Sequence, residues 1–142
     1  MFIDVNDNVN VTVYYRKVGM HYIALSAKEF ENKITDEDNK KKFSSVTVQM
    51  RTLTWGLYNQ INEAAVVKTN NSDRDWNYKL YKENKLKSII VSWDAKRKNE
   101  KGDLVPVPVN QDAITNMAPE IAEIILSEYD NIMSLDEDDE KK

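Results

Sequence analysis

Cysteine is absent, and only three glycines, three prolines and one histidine occur among the 142 residues. Each shortage removes a class of chemistry. Without cysteine there are no disulfides and no thiolate metal sites, which fits a reducing compartment. One histidine and no cysteine leave zinc without a ligand set. The glycines stand at positions 19, 56 and 102, so no Gly-rich phosphate loop exists, and no serine sits in a Gly-x-Ser-x-Gly elbow. His21 falls in a predicted strand beside Tyr22, where a lone histidine reads as a surface or packing residue rather than a catalyst. Asp36-Glu37-Asp38 lacks the central Gly and terminal Glu of a calcium loop, and Asp73 and Asp75 suit a helix N-terminus. The expectation is a protein with no catalytic residues, no cofactor and no metal: not an enzyme.

Long apolar runs are missing too. No segment approaches the roughly 18 residues that a membrane-spanning helix needs. Met1-Phe2-Ile3-Asp4 offers no basic segment followed by an apolar stretch, which predicts no secretory signal and a cytosolic protein. Hydrophobic residues nevertheless make up 41% of the chain, enough for one core. A single α+β domain is expected over residues 1–135, β-rich over 1–50 and helical over 51–135, with 136–142 a disordered acidic tail. That tail holds five acids and two lysines, a net −3 of the chain's −4. A body near neutrality has no field to hold a polyanion, so nucleic acid is not an expected partner. The basic runs Lys40-Lys41-Lys42 and Lys96-Arg97-Lys98 read as solvated turns, with phosphate binding the lesser alternative.

Periodicity places the elements. Val9, Val11 and Val13 alternate with Asn10 and Thr12, predicting a strand over Val9–Arg16 after a first strand at Phe2–Val5. A turn at Val18-Gly19-Met20 leads into His21–Leu25, giving an antiparallel hairpin or small meander. Ser26 with Glu29 three residues on predicts a capped short helix, and Thr35–Lys42 a charged loop. Val46, Val48 and Met50 alternate as another strand. Thr52 or Thr54 then caps a helix with Leu57, Ile61 and Ala65 on its apolar stripe. After the polar break at Asn70–Asp73, a second helix is predicted from Asp75 to Asp94. Trp76, Leu80, Leu86, Ile89, Ile90 and Trp93 share its stripe, while Lys79, Lys82, Lys85 and Lys87 face water. Leu104–Val109 is extended because of its two prolines, Asn110 caps a short helix, and Pro119 opens the last one. Ile121, Ile124, Ile125, Leu126, Tyr129 and Ile132 form the last helix's apolar side. The fold expected is α+β, a hairpin or meander followed by a bundle of about four helices. Trp55, Trp76 and Trp93 lie near these stripes, where large rings are usually core, although exposed Trp and Tyr are favoured anchors at interfaces.

The second half also resembles a known family. Leu53-Thr54-Trp55-Gly56-Leu57 opens a helix, and Ile89-Ile90-Val91-Ser92-Trp93-Asp94 follows a polar break. Gly102-Asp103-Leu104-Val105-Pro106-Val107 then precedes helices starting at Asn110 and Pro119. Over about residues 45–133 this order is similar to tail assembly chaperones and small tail-module proteins of tailed bacteriophages. The resemblance implies a non-enzymatic protein of the infected bacterial cytoplasm. It would bind the tape-measure protein and keep its apolar helices soluble during tail assembly. A structural subunit of the virion tail, neck or baseplate is the alternative, and a homo-oligomer is compatible with either. The contact residues expected are Trp55, Leu57, Ile61 and Ala65 on one face and Ile121, Ile125 and Tyr129 on another, with mutual packing as core the competing reading.

Overall fold

The valines of the first third build a sheet. In the computed structural model, which describes residues 1, 3–4, 7–68 and 74–140, β1 (Asn8–Val18) pairs antiparallel with β2 (His21–Ser26). Gly19, at φ +62°, takes the first central position of the two-residue turn between them, a conformation that glycine adopts without steric cost. On its other side β1 pairs with β3 (Ser44–Arg51), setting Val11 opposite Val48 and Val13 opposite Val46. Period-2 alternation therefore sends Val11, Val13, Val46, Val48 and Met50 to one buried face. The other face is polar, and the Thr12 and Thr47 hydroxyls meet across it at 2.9 Å.

Between β2 and β3 lie α1 (Ala27–Lys33) and the single turn α2 (Glu37–Lys40). Ser26 caps α1 by accepting the Glu29 N–H, as its spacing predicts. Phe30 of α1 stacks on Tyr14 at 4.0 Å, covering part of the polar sheet face.

After β3, α3 (Trp55–Ala64) begins with the Thr54 hydroxyl accepting the Leu57 N–H. β4 (Val66–Lys68) and β5 (Arg74–Trp76) form a small ladder leading to α4 (Tyr78–Ile89), which Asn77 caps. The predicted break at Asn70–Asp73 lies outside the described residues. From α4 the chain passes directly into β6 (Ile90–Trp93), which pairs with β3 as the fourth strand of the sheet, in the order β2-β1-β3-β6. A bulge opposite Gln49/Met50 leaves Val91 exposed. A hairpin of β7 (Lys96–Lys98) and β8 (Leu104–Pro106) follows, then α5 (Gln111–Thr115), capped by Asn110, and the long α6 (Pro119–Glu140). The backbone of α6 reaches Glu140, within the segment expected as an acidic tail.

The expected bundle of about four helices is thus corrected. The described residues hold a four-stranded antiparallel sheet and six helices, mostly in the second half, and α6 packs on β1 and β2 rather than on helices alone. The decisive segment is Ile89–Trp93. Its β-branched run continues the helical stripe of α4 in sequence, but Ile90 to Trp93 gain a ladder to β3 instead. Trp76 likewise belongs to β5, not to a helix. Between sheet and helices lies one core that includes Met50, Ile61, Leu86, Ile89, Ile114, Ile125 and Tyr129. Each such aliphatic side chain contributes about 1.5–3 kcal/mol by leaving water.

Candidate functional site: a cleft between the sheet and the last two helices

The inward side of β1 continues past Val13 to Tyr15, and that of β2 carries Tyr22. Their rings meet edge to face at 6.1 Å. Beyond them the sheet and the α5–α6 corner do not close, leaving a solvent-open cleft of about 430 Å³. Ile121 and Ile125 of α6 and Val46 and Val48 of β3 line it on the apolar side, Tyr15, Tyr22 and Trp93 add aromatic walls, and Met117 stands at the helix corner. Lys96 and Arg97 of β7 bring positive charge to the same lining. This combination, mostly apolar with a few converging polar groups, is the usual form of a binding cleft.

Local bonds hold the walls in place. The Trp93 indole N–H donates to the Val107 carbonyl at 2.7 Å, and Val107 N–H donates to Ala95 at 2.9 Å, tying β6 to the segment after β8. Asp94 accepts the Thr47 N–H at 2.7 Å and so fixes the end of β6 on β3. At the helix corner Asn110 accepts the Ala113 N–H at 2.8 Å, which sets the start of α5. Burial raises the pKa of the Tyr15 phenol, with Tyr22 and Asp94 adding to the effect.

A second, smaller cavity of about 240 Å³ lies between α4 and α6, beside Tyr78 and Tyr81. Its cations are already engaged. Lys82 reaches Glu123 and Lys85 reaches Asp130, both at 2.6 Å. The hydrogen bond to Glu123 raises the Lys82 pKa, against an opposing effect of desolvation. Lys85, expected to face water, is 6% exposed and lies 5.5 Å from the Tyr81 ring centre and 5.4 Å from that of Tyr129. These contacts clamp α4 to α6 and are structural.

The seven residues expected at a partner surface divide. Trp55 is 77% exposed at the start of α3 and stacks on Tyr58, while Leu57 is half-buried. Ile61 and Ala65 are buried in the core side of α3. Ile121 and Ile125 come together at the cleft, although little of either is accessible, and Tyr129 is fully buried further along α6. Tyr15, Tyr22, Trp93, Lys96, Arg97 and Met117 were not singled out as contact residues. For the two tyrosines a signal existed: Tyr15 has the inward parity of Val11 and Val13. Lys96 and Arg97 stand out in the sequence as a basic run, read chiefly as a solvated turn, but only the tertiary fold carries β7 to this cleft. Set against known proteins, the chain matches no family model, no curated protein and no solved structure.

Proposed function

We propose that the protein is a non-enzymatic binding protein that receives an apolar segment of another protein in the sheet–helix cleft, as a tail assembly chaperone would receive part of a tape-measure protein in the bacterial cytoplasm. The supporting observation is the cleft itself, where the half-buried Tyr15, Tyr22, Trp93 and Met117 offer apolar surface beside charged groups, over a floor that includes Ile121 and Ile125. The choice of a tape-measure protein rests on the sequence resemblance over residues 45–133. Co-expression tests the reading: a tape-measure protein that is insoluble alone should be recovered as a soluble complex. Met117→Asp, which puts a charge into the cleft, should weaken that complex by about tenfold or more, whereas Trp55→Ala, outside the cleft lining, should leave it intact. A tape-measure protein that remains insoluble with and without this chain would remove the reading.

One observation favours a virion subunit instead. Strand β2 is an edge of the sheet, and His21–Leu25 contains no proline, lysine, arginine or acid. Val18 and Met20, the latter 89% exposed, precede it, and Ile23 within it is exposed too. The opposite edge, β6, is short and bulged, which discourages pairing. If β2 joins neighbouring subunits, purified particles contain the protein in stoichiometric amount, and Ile23→Lys abolishes its incorporation while changing stability by only about 0.5 kcal/mol. Its absence from particles favours the chaperone.

A further inference from the structure

Among the described residues, the side chains that line the cleft include the cations Lys96 and Arg97 but no acid, although the chain as a whole carries a net charge of −4. The Asp94 carboxylate stands just outside the lining, where it accepts the Thr47 N–H and still acts on the Tyr15 phenol. Lys96, Arg97 and Lys98 are exposed, and among the described residues no carboxylate forms a salt bridge with any of them. Most other exposed lysines among the described residues likewise form no salt bridge, so what distinguishes Lys96 and Arg97 is their place in the lining of an apolar cleft.

The arm that carries these cations is firmly built. Asn99 closes the β7–β8 turn by accepting the N–H groups of Lys101 and Asp103 at 2.9 and 3.0 Å. Gly102, at φ +82°, supplies the left-handed residue that this turn needs. The Trp93–Val107 bond anchors the base of the hairpin to the sheet. Positive charge is thus held on a braced strand beside an apolar surface, so little backbone ordering remains to oppose capture of an anion.

We infer that the segment bound in this cleft carries a carboxylate next to its apolar stretch, and that Lys96 and Arg97 recognise it. The inference rests on the cleft reading above and deepens it. Arg97, paired with the half-buried Val105, offers the planar fork that matches a carboxylate, and Lys96, whose side chain leaves β7 by the opposite face, adds its charge from further off. Next to apolar walls such contacts are worth more than in bulk water. Because the cleft is open to solvent, its occupant keeps one side wet, as an amphipathic peptide does. A fatty acid, with the same carboxylate but no wet side, is the competing occupant.

Two synthetic amphipathic peptides of about 16 residues, long enough to form helix, test this against the full chain by calorimetry. They share one Leu-rich face and differ only in two flanking residues, Glu-Glu or Lys-Lys. The Glu peptide should bind about tenfold more tightly at low salt, with the gap closing as salt is raised. The double reversal Lys96→Glu/Arg97→Glu, checked for an unchanged circular dichroism spectrum, should invert the order. Equal binding of both peptides, or a preference that survives the reversal, overturns the recognition role and leaves the cleft reading standing. Binding of neither peptide overturns both. Binding of decanoate with neither peptide bound identifies a lipid site and overturns the inference.

Discussion

Tyr129→Ala should destabilise the protein by about 3–5 kcal/mol, lowering the thermal midpoint by about 10–20 °C. Tyr129 is fully buried, and it links three parts of the molecule. Its ring belongs to the main core, its face lies near the Lys85 ammonium, and its hydroxyl donates to the Arg51 carbonyl at the end of β3 at 3.0 Å. Alanine removes all three contacts and leaves a cavity. Tyr129→Phe removes only the hydroxyl and should cost about 1 kcal/mol, plus whatever is lost by leaving the Arg51 carbonyl without that donor. Urea unfolding of both variants separates ring from hydroxyl. Equal losses would mean that the bond to β3, not ring packing, dominates.

The same residue predicts an alkaline limit. Burial first, then Asp130 and Tyr81, pushes the Tyr129 phenol up to about 12, against about 10 for an exposed tyrosine. Because the folded value lies above the unfolded one and the ionised form is the disfavoured one, the native state is fully favoured below pH 10. That advantage is lost as pH rises from 10 to 12. Midpoints measured across this range should fall for the wild type, and less steeply for Tyr129→Phe.

Lys85 gives the second large effect, and its sign depends on which partner is changed. Removing the acid with Asp130→Ala leaves an ammonium confined between Tyr81 and Tyr129 with no counter-ion. A fully buried pair broken this way loses about 3–5 kcal/mol. Asp130 is 58% exposed, so water screens part of the interaction and about 1–2 kcal/mol is expected. Lys85→Met keeps the stem's packing and removes the desolvated charge, so it should be neutral or stabilising by about 1 kcal/mol. Denaturation of the single and double variants checks both values. Losses of equal size for Asp130→Ala and Lys85→Met would show that the ion pair, rather than the unpaired charge, sets the energy.

Much of the local structure was legible from residue pattern, although the charged loop expected at Thr35–Lys42 holds the helical turn α2, capped by Asp36. The alternation of Val9, Val11 and Val13, the Gly19 turn and the caps at Ser26, Thr54 and Asn110 each have a local cause, and each element forms where that cause lies. Pro119 opens α6 for the same kind of reason. The errors came where one pattern serves two structures. Leu86, Ile89, Ile90 and Trp93 satisfy a helical stripe, and only the β-branched run Ile89-Ile90-Val91 hinted that the chain straightens. Lys85 was assigned to water by its charge, because nothing local announces an acid 45 residues away on α6. Trp55 had two readings, core ring or interface anchor; its neighbours Leu57 and Ile61 mark a core-facing helix, yet the first residue of α3 leaves its ring exposed. The cleft was half legible. Ile121 and Ile125 could be named from their spacing, but their opposite wall is assembled from β1, β2, β6 and β7, which only long-range pairing brings together.

The direct passage from Ile89 of α4 to Ile90 of β6, without an intervening loop, has a mechanical meaning. A joint with no slack transmits torque. Any sliding of α4 along α6 must drag β6, and with it Trp93 and the hairpin braced on Trp93. The Lys82–Glu123 and Lys85–Asp130 pairs resist that sliding. The two pairs thus brace, at a distance, the strand that carries one wall of a cleft neither of them touches.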